Sequence, residues 1–182
     1  MMEIQDIDIS EVPQSLALKI LALENLTWPP KIADERPDAE QLKDYYEKRP
    51  ERRTFYVLQE DELIAHAELF KRTIYTEDSQ LNIWALATVI VAESTRGTGL
   101  GRKLVEACFR FVEKSDRDVC LFQTGVPGFY QKLNCGHVHS RFINRTNTEN
   151  PQKNPFWEDD VMIYPAGYDW PSGTIDLNGK AY

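Results

Sequence analysis

The sequence predicts a mixed α/β domain with a mostly antiparallel sheet, and three observations predict it. Two helical patterns open the chain, a run of strand patterns with polar turns follows, and a strand, glycine loop, helix and strand then come in the order of a crossover unit. At 182 residues the chain can bury one good core and is short for two. A single domain over 1–182 is therefore expected, with its core at about 10–165 and an irregular tail over 166–182.

Residues 15–26, SLALKILALENL, place Leu16, Ile20, Leu23 and Leu26 on one face at helical spacing, and Trp28, Pro29 and Pro30 stop the element. A second helix is expected from Asp38, where Gln41 three residues later completes a capping box and Leu42, Tyr45 and Tyr46 follow on one side. It ends before Pro50. From Arg53 the period becomes that of strands: RTFYVLQ and LIAHAELF flank the acidic turn Glu60, Asp61, Glu62. The polar turn TEDSQ leads into LNIWALATVIVA, whose nearly continuous apolar character fits a central strand covered on both faces. Leu104, Ala107, Cys108, Phe111 and Val112 then recur at helical spacing, so residues 100–114 should be an amphipathic helix. The strand DVCLFQT, between Asp118 and Gly125, closes the crossover and should run parallel to the strand ending near Val91. A short helix, PGFYQKL, and strands near 137–143 and 159–164 complete the domain.

Lys plus Arg number 21 against 29 Asp plus Glu, a net charge of -8, which disfavours nucleic acid or an anionic membrane as a main partner. A cationic partner suits it better, although solubility alone accounts for such a balance. Cys108, Cys120 and Cys135 form no CxxC pair and fit reduced thiols in a cytoplasmic protein. The start, MMEIQDIDISEVPQ, has acids where a signal peptide has a basic segment, and no apolar run reaches membrane-spanning length. Monomer and homodimer both remain open.

Three glycines fall within five positions in VIVAESTRGTGLGRKLVEACFRFV, after an apolar run and before a helical pattern. Such a turn presents unpaired backbone N–H groups with the positive end of a helix dipole, a seat for phosphate or pyrophosphate. The P-loop spacing fails, because Gly97 is followed by Thr98, Gly99, Leu100, Gly101 and Arg102. The dinucleotide fingerprint fails at Arg102, and a kinase glycine loop would join two strands. What remains is Arg-x-x-Gly-x-Gly at Arg96, Gly99 and Gly101, with Arg96 and Arg102 able to add charge.

In that setting the sequence resembles the GNAT superfamily of N-acetyltransferases, whose acetyl-CoA loop has the form Gln/Arg-x-x-Gly-x-Gly/Ala between a strand and a helix. QTGVPGFYQKLNCGH, one helix and one strand further on, stands where the family carries a Phe-Tyr-x-Lys-x-Gly segment. Asn134 takes the place of a common family glycine, and Asn is the next residue to tolerate a left-handed C-cap. The resemblance covers roughly residues 10–165. It implies a GNAT-type sheet with helices on both faces and acetyl-CoA in the splay between two parallel strands. Carried over, the main chain of Val89, Ile90 and Val91 pairs with pantetheine, the amides from Gly97 through Thr98, Gly99, Leu100 and Gly101 to Arg102 hold the pyrophosphate, and the side chains of Val89 and Val91 are core.

The implied reaction is N-acetylation by direct attack of an amine on the thioester, with no metal. An alkylamine of pKa about 10.4 is only about 0.1% neutral at pH 7, so a base or water relay is expected. Tyr130, by its place in the motif, would protonate the departing thiolate. Glu68 in AHAELF is the candidate base, with His66 two residues earlier on the same strand face; a structural role for either, or a water chain, serves as well.

The family builds its acceptor site from variable parts, here containing Trp28, Glu35 and Asp38 near the first helices. Phe156, Trp157, Glu158, Asp159, Asp160, Trp170 and Tyr182 belong to the last hairpin and tail. Aromatic faces with carboxylates suit a small cationic amine. The tail EDDVMIYPAGYDWPSGTIDLNGKAY also looks like the ends of aminoglycoside 2'-N-acetyltransferases. A protein or peptide N-acetyltransferase, or an acyl-CoA-binding module without catalysis, are the other readings.

Overall fold

The computed structural model describes residues 3–49 and 51–182, so Pro50, expected just beyond the second helix, lies outside the described residues. The chain divides into two compact units, one of Met1–Phe70 with Ala87–Cys108 and one of Lys71–Leu86 with Phe109–Tyr182. The fold is mixed α/β with a mostly antiparallel sheet, as expected.

In the first unit, β1 (Gln5–Asp8) runs antiparallel to β2 (Arg52–Gln59), which runs antiparallel to β3 (Glu62–Tyr75). Short and half-exposed, β1 carries little alternation and was not expected from the sequence. The hairpin turn is Glu60 and Asp61, with φ of 50° and 69°; acidic residues accept this left-handed turn without glycine. Helices α1 (Gln14–Thr27) and α2 (Asp38–Glu47) bring Leu16, Ile20, Leu23, Leu42 and Tyr45 into one core with Leu63 and Ile90. Full burial of each such aliphatic side chain contributes about 1.5–3 kcal/mol.

Two expectations for these helices are corrected. Leu26 is 81% exposed, because the buried face of α1 ends at Leu23. The expected capping box at Asp38 does not form either. Pro37 occupies the N-cap without a side-chain cap, Asp38 is already helical, and Gln41 Nε2 donates to the Arg36 carbonyl at 2.8 Å. Proline pre-sets the extended entry, and Asp38 then serves the helix dipole instead.

The strand β4 (Gln80–Val91) begins in the second unit, and there it pairs in parallel with β5 (Cys120–Thr124), Trp84 opposite Cys120 and Ala85 opposite Leu121. Ala85 is the last residue of β4 in that ladder. The crossover between them is α3 (Leu100–Glu113), and β5 is followed by α4 (Pro127–Gln131). The single strand expected near 137–143 is two: β6 (Gly136–His137) pairs antiparallel with β8 (Asp160–Tyr164), while β7 (Arg141–Ile143) lies parallel to β9 (Thr174–Asp176). Along its length β8 also pairs antiparallel with β5, from Cys120 opposite Tyr164 to Thr124 opposite Asp160.

The tail is irregular, as expected, apart from the short strand β9. Asp176 of β9 faces Tyr75 of β3, Ile175 and Leu177 are fully buried, and the Tyr182 hydroxyl donates to the Leu121 carbonyl at 3.1 Å. Cys108, Cys120 and Cys135 are free and buried.

Candidate active site

The glycine loop belongs to the first unit. A single 3-10 turn, Glu93–Thr95, leads from β4 to Arg96, and α3 begins at Leu100. Gly97 and Gly99 have φ of 78° and 82°, a region where an L side chain is strained by roughly 1–2 kcal/mol. A Cβ at either would meet nothing within 4 Å, so the open side of both residues is available to a bulky group. Gly101 serves differently: its Cβ would lie 3.3 Å from Val91 Cγ2, which marks the close approach of α3 to β4.

Side chains fix this loop from within. Arg96 Nε donates to the Val91 carbonyl at 3.1 Å, and Thr98 Oγ1 donates to the Thr95 carbonyl at 2.7 Å. The Lys103 N–H reaches the Gly99 carbonyl at 3.2 Å, which closes the first turn of α3. The N–H groups of Leu100, Gly101 and Arg102 thus begin the helix at its positive end, the arrangement that receives phosphate oxygens. Arg102 is exposed and donates to Glu106 one turn along at 2.8 Å, leaving its other N–H groups to add charge.

In β4, the sequence expectation for Val89 and Val91 is reversed. Ile90 is the core residue, 2% exposed, whereas Val89 and Val91 are half-buried. Thr88 precedes them with φ of 51°, a left-handed β-branched residue within a strand, and such an irregularity resets the alternation after it. Nothing in the sequence signals it, since neither glycine nor asparagine stands there.

Tyr130 belongs to the second unit, in α4, with Phe122 at 4.6 Å and Phe129 at 4.9 Å between ring centroids. Its carbonyl accepts from the N–H groups of Leu133 and Cys135 at 2.9 and 3.2 Å. The chain makes this turn through Asn134, whose φ of 62° is the left-handed C-cap expected of it. The ring is held among these aromatics.

Glu68 and His66, in β3, are both fully buried in the first unit. Arg49 Nη1 donates to Glu68 Oε1 at 2.9 Å, Arg52 donates to Oε2, and Arg49 also forks onto Glu24 at 2.6 and 2.9 Å. Burial alone would raise the pKa of Glu68, but the two guanidiniums outweigh it and hold the carboxyl below its usual range. Burial pushes the His66 imidazole below its ordinary value, against the pull of Glu68 3.8 Å away. A carboxylate so committed is a counter-ion first and a weak proton acceptor. Its arginine partners come from the segment after α2 and from β2, and no local spacing in the sequence announces them.

The aromatic and acidic residues expected near an acceptor divide by environment. In the first unit Trp28 is 54% exposed just after α1, Glu35 is exposed, and Asp38 heads α2. In the second unit Phe156 packs into the core against Phe142, and Trp170 Nε1 donates to Ser140 Oγ at 2.9 Å, so both are anchors. Asp160 pairs with His137 at 3.2 Å. Trp157, by contrast, is 69% exposed, and its N–H and that of Glu158 both donate to Gln123 Oε1 at 3.0 Å. Gln123, in β5, is a positioning residue that sequence reasoning missed. Among the described residues no His, Cys, Asp and Glu cluster could hold a metal, and no helix is long and apolar enough to cross a membrane.

A search of curated proteins by sequence finds no match. Among solved structures, Escherichia coli ElaA is 21% identical, with a TM-score of 0.57 over 90% of this chain and 99% of that one. An aminoglycoside 6'-N-acetyltransferase complexed with coenzyme A is 18% identical, with a TM-score of 0.60 over 94% of this chain and 100% of that one. A GCN5-related N-acetyltransferase from Kribbella flavida is 15% identical with a TM-score of 0.57; 75% of this chain is covered, and it spans 33% of the length of that protein. At these identities the likeness shows the fold. The family match is independent of it and extends over residues 19–134, from within α1 through the glycine loop to Asn134: the chain belongs to the acetyltransferase (GNAT) family.

Proposed function

We propose that this chain is an acetyl-CoA-dependent N-acetyltransferase, acting as one catalytic domain on a primary amine of a small cationic molecule by direct attack on the thioester. The observation that carries the proposal is the loop from Arg96 to Arg102, with two left-handed glycines open to a ligand and the N-terminus of α3 behind them. In this reading the amides from Gly97 to Arg102 take the donor's pyrophosphate, Arg96 and Arg102 add charge, and the main chain of Val89, Ile90 and Val91 pairs with the pantetheine arm. Coenzyme A in the structure of the aminoglycoside 6'-N-acetyltransferase supports the choice of donor.

Acetyl-CoA supplies the activated acyl group. The Tyr130 hydroxyl gives a proton to the departing thiolate. To Glu68 we assign the neutralisation of Arg49 and Arg52 instead of the base's role considered from sequence, and the amine passes its proton to water. A net charge of -8 and the aminoglycoside acetyltransferases among the structural neighbours favour a small cationic acceptor. Three free, buried thiols fit a reducing compartment such as the cytoplasm.

Thiol release from acetyl-CoA across aminoglycosides, polyamines, amino acids and short peptides tests the proposal. Turnover with one class of small amine names the acceptor, and turnover with peptides alone replaces it by the protein N-terminus or Lys. Binding of acetyl-CoA without turnover favours a binding module. No binding contradicts the role given to the loop.

A further inference from the structure

We propose that Asn178–Gly179 is a self-modifying site: in the folded protein Asn178 loses its side-chain amide, and the change frees the end of the tail from Arg72. The inference stands apart from the acetyltransfer reading above. Asparagine decays in this way when the backbone nitrogen of the next residue attacks its side-chain carbonyl carbon. Two restraints oppose the step, a hydrogen bond that pins the side-chain oxygen and a hydrogen bond that ties down the attacking N–H.

Every other asparagine is restrained. Asn25 lies within α1, where the following N–H belongs to the helix ladder. Asn82 Oδ1 accepts from Thr73 Oγ1 at 2.7 Å, Asn144 Oδ1 accepts from the N–H and the hydroxyl of Thr146 at 3.0 and 2.7 Å, and Asn147 Oδ1 takes the N–H groups of Glu149 and Asn150 at 3.2 Å. After Asn134, the Cys135 N–H is held by the Tyr130 carbonyl at 3.2 Å. Asn150 and Asn154 precede Pro151 and Pro155, which have no N–H to attack with.

Asn178 escapes both restraints. It is exposed in a left-handed turn, with φ of 51°, and its side-chain oxygen accepts no hydrogen bond among the described residues. Its Nδ2 is tethered only at 3.5 Å, to the Thr73 carbonyl. The Gly179 N–H likewise donates to nothing among the described residues, and glycine has no side chain to crowd the approach. Once hydroxide removes its proton, that nitrogen attacks Asn178 Cγ; the new C–N bond forms as the bond to the amide nitrogen breaks, and ammonia leaves. Water then opens the cyclic imide at either carbonyl. The products are an aspartate at 178 and a β-linked aspartate with one more carbon in the main chain, and no step gains or loses electrons.

A clasp follows the turn directly. Arg72 Nη1 donates to the Lys180 carbonyl at 2.7 Å, and Arg72 Nη2 lies 3.3 Å from where a Cβ on Gly179 would stand. On the other side of the turn Leu177 is buried, its N–H donating to the Ile143 carbonyl at 2.9 Å. A main chain longer by one carbon therefore displaces Lys180 from Arg72 while Leu177 stays in the core. The plain aspartate acts through charge: it replaces the donor facing the Thr73 carbonyl by an acceptor, beside Asp176, whose carboxylate already takes the Asn178 N–H at 2.9 Å.

Incubation of the intact protein at mildly alkaline pH, followed by peptide mass mapping and isoaspartate-specific methylation, tests the site. The mass gain of an amide-to-acid exchange is expected at Asn178 ahead of every other asparagine and faster as pH rises. It should be absent from that peptide in Asn178→Gly, where glycine takes the same φ without strain. Limited digestion with trypsin reads the clasp. Cleavage after Lys180 should be severalfold faster in the aged protein and in Asn178→Asp than in fresh wild type, while aged and fresh Asn178→Gly are cut alike. No gain at Asn178, or an earlier gain at another asparagine, would overturn the site. Equal cleavage of aged and fresh wild type, or faster cleavage of aged Asn178→Gly, would overturn the release of the tail.

Discussion

Arg49 Nη1 donates to Glu68 Oε1 at 2.9 Å, and the carboxylate that accepts has no exposed surface. The pair joins the segment that follows α2 to the middle of β3, and Arg52 takes the second oxygen. Removing one partner of a buried ion pair leaves the other's charge uncompensated, at a cost of about 3–5 kcal/mol. Glu68→Gln is therefore expected to destabilise the fold by roughly 3 kcal/mol, lowering Tm by about 6–12 °C in a chain of this size. A calorimetric scan reads it, and an unchanged Tm would show that the pair contributes nothing.

The same strand makes stability depend on acid. His66 is held below 6.5 and Glu68 below 4.5, so the unfolded chain binds protons more readily at both positions. Stability is then lost as pH falls below about 6.5 through His66, and further below about 4.5 through Glu68. The charges facing His66 are Glu68, Glu24, Arg49 and Arg52. Urea midpoints should be level from pH 8 to about 7 and fall from there to pH 4, and His66→Leu should flatten the upper part of that fall.

Gly99 has φ of 82° and open space where a side chain would stand. Gly99→Ala should cost about 1 kcal/mol of stability from backbone strain and, on the proposed placement of the pyrophosphate, weaken acetyl-CoA severalfold, because the Cβ fills the open side of the loop. Titration of acetyl-CoA measures the second effect directly; equal affinity would place the donor elsewhere.

Gln123 Oε1 accepts from two consecutive N–H groups, at Trp157 and Glu158. Gln123→Leu removes that acceptor and should cost about 1–3 kcal/mol. Hydrogen exchange at these two amides should accelerate, with little change along β5 and β8. Unchanged protection at both amides would show that the loop is held by other contacts.

The parts legible in the sequence were those governed by local chemistry. Only glycine takes φ near 80° without strain, so the loop at Gly97 and Gly99 and the start of α3 stood out, as did the asparagine cap at Asn134. Non-local pairing was hidden. Thr174–Asp176 became a strand because β7 and Tyr75 meet it, about a hundred residues from Tyr75 in the chain. Glu68 reads as a candidate base in the sequence, because the two arginines that pair with it arrive from elsewhere in the chain. Leu26 kept the apolar period of α1 after the helix had run past its core. Thr88 adopts a conformation its side chain disfavours, and a disfavoured choice leaves no trace in composition.

The most direct measurement is turnover by Tyr130→Phe at saturating acetyl-CoA, with an amine the wild type accepts, beside its affinity for the donor. Loss of the proton donor predicts a fall in kcat of about 100-fold or more with donor affinity nearly unchanged. Wild-type kcat in the variant would contradict the assignment of Tyr130 as the general acid.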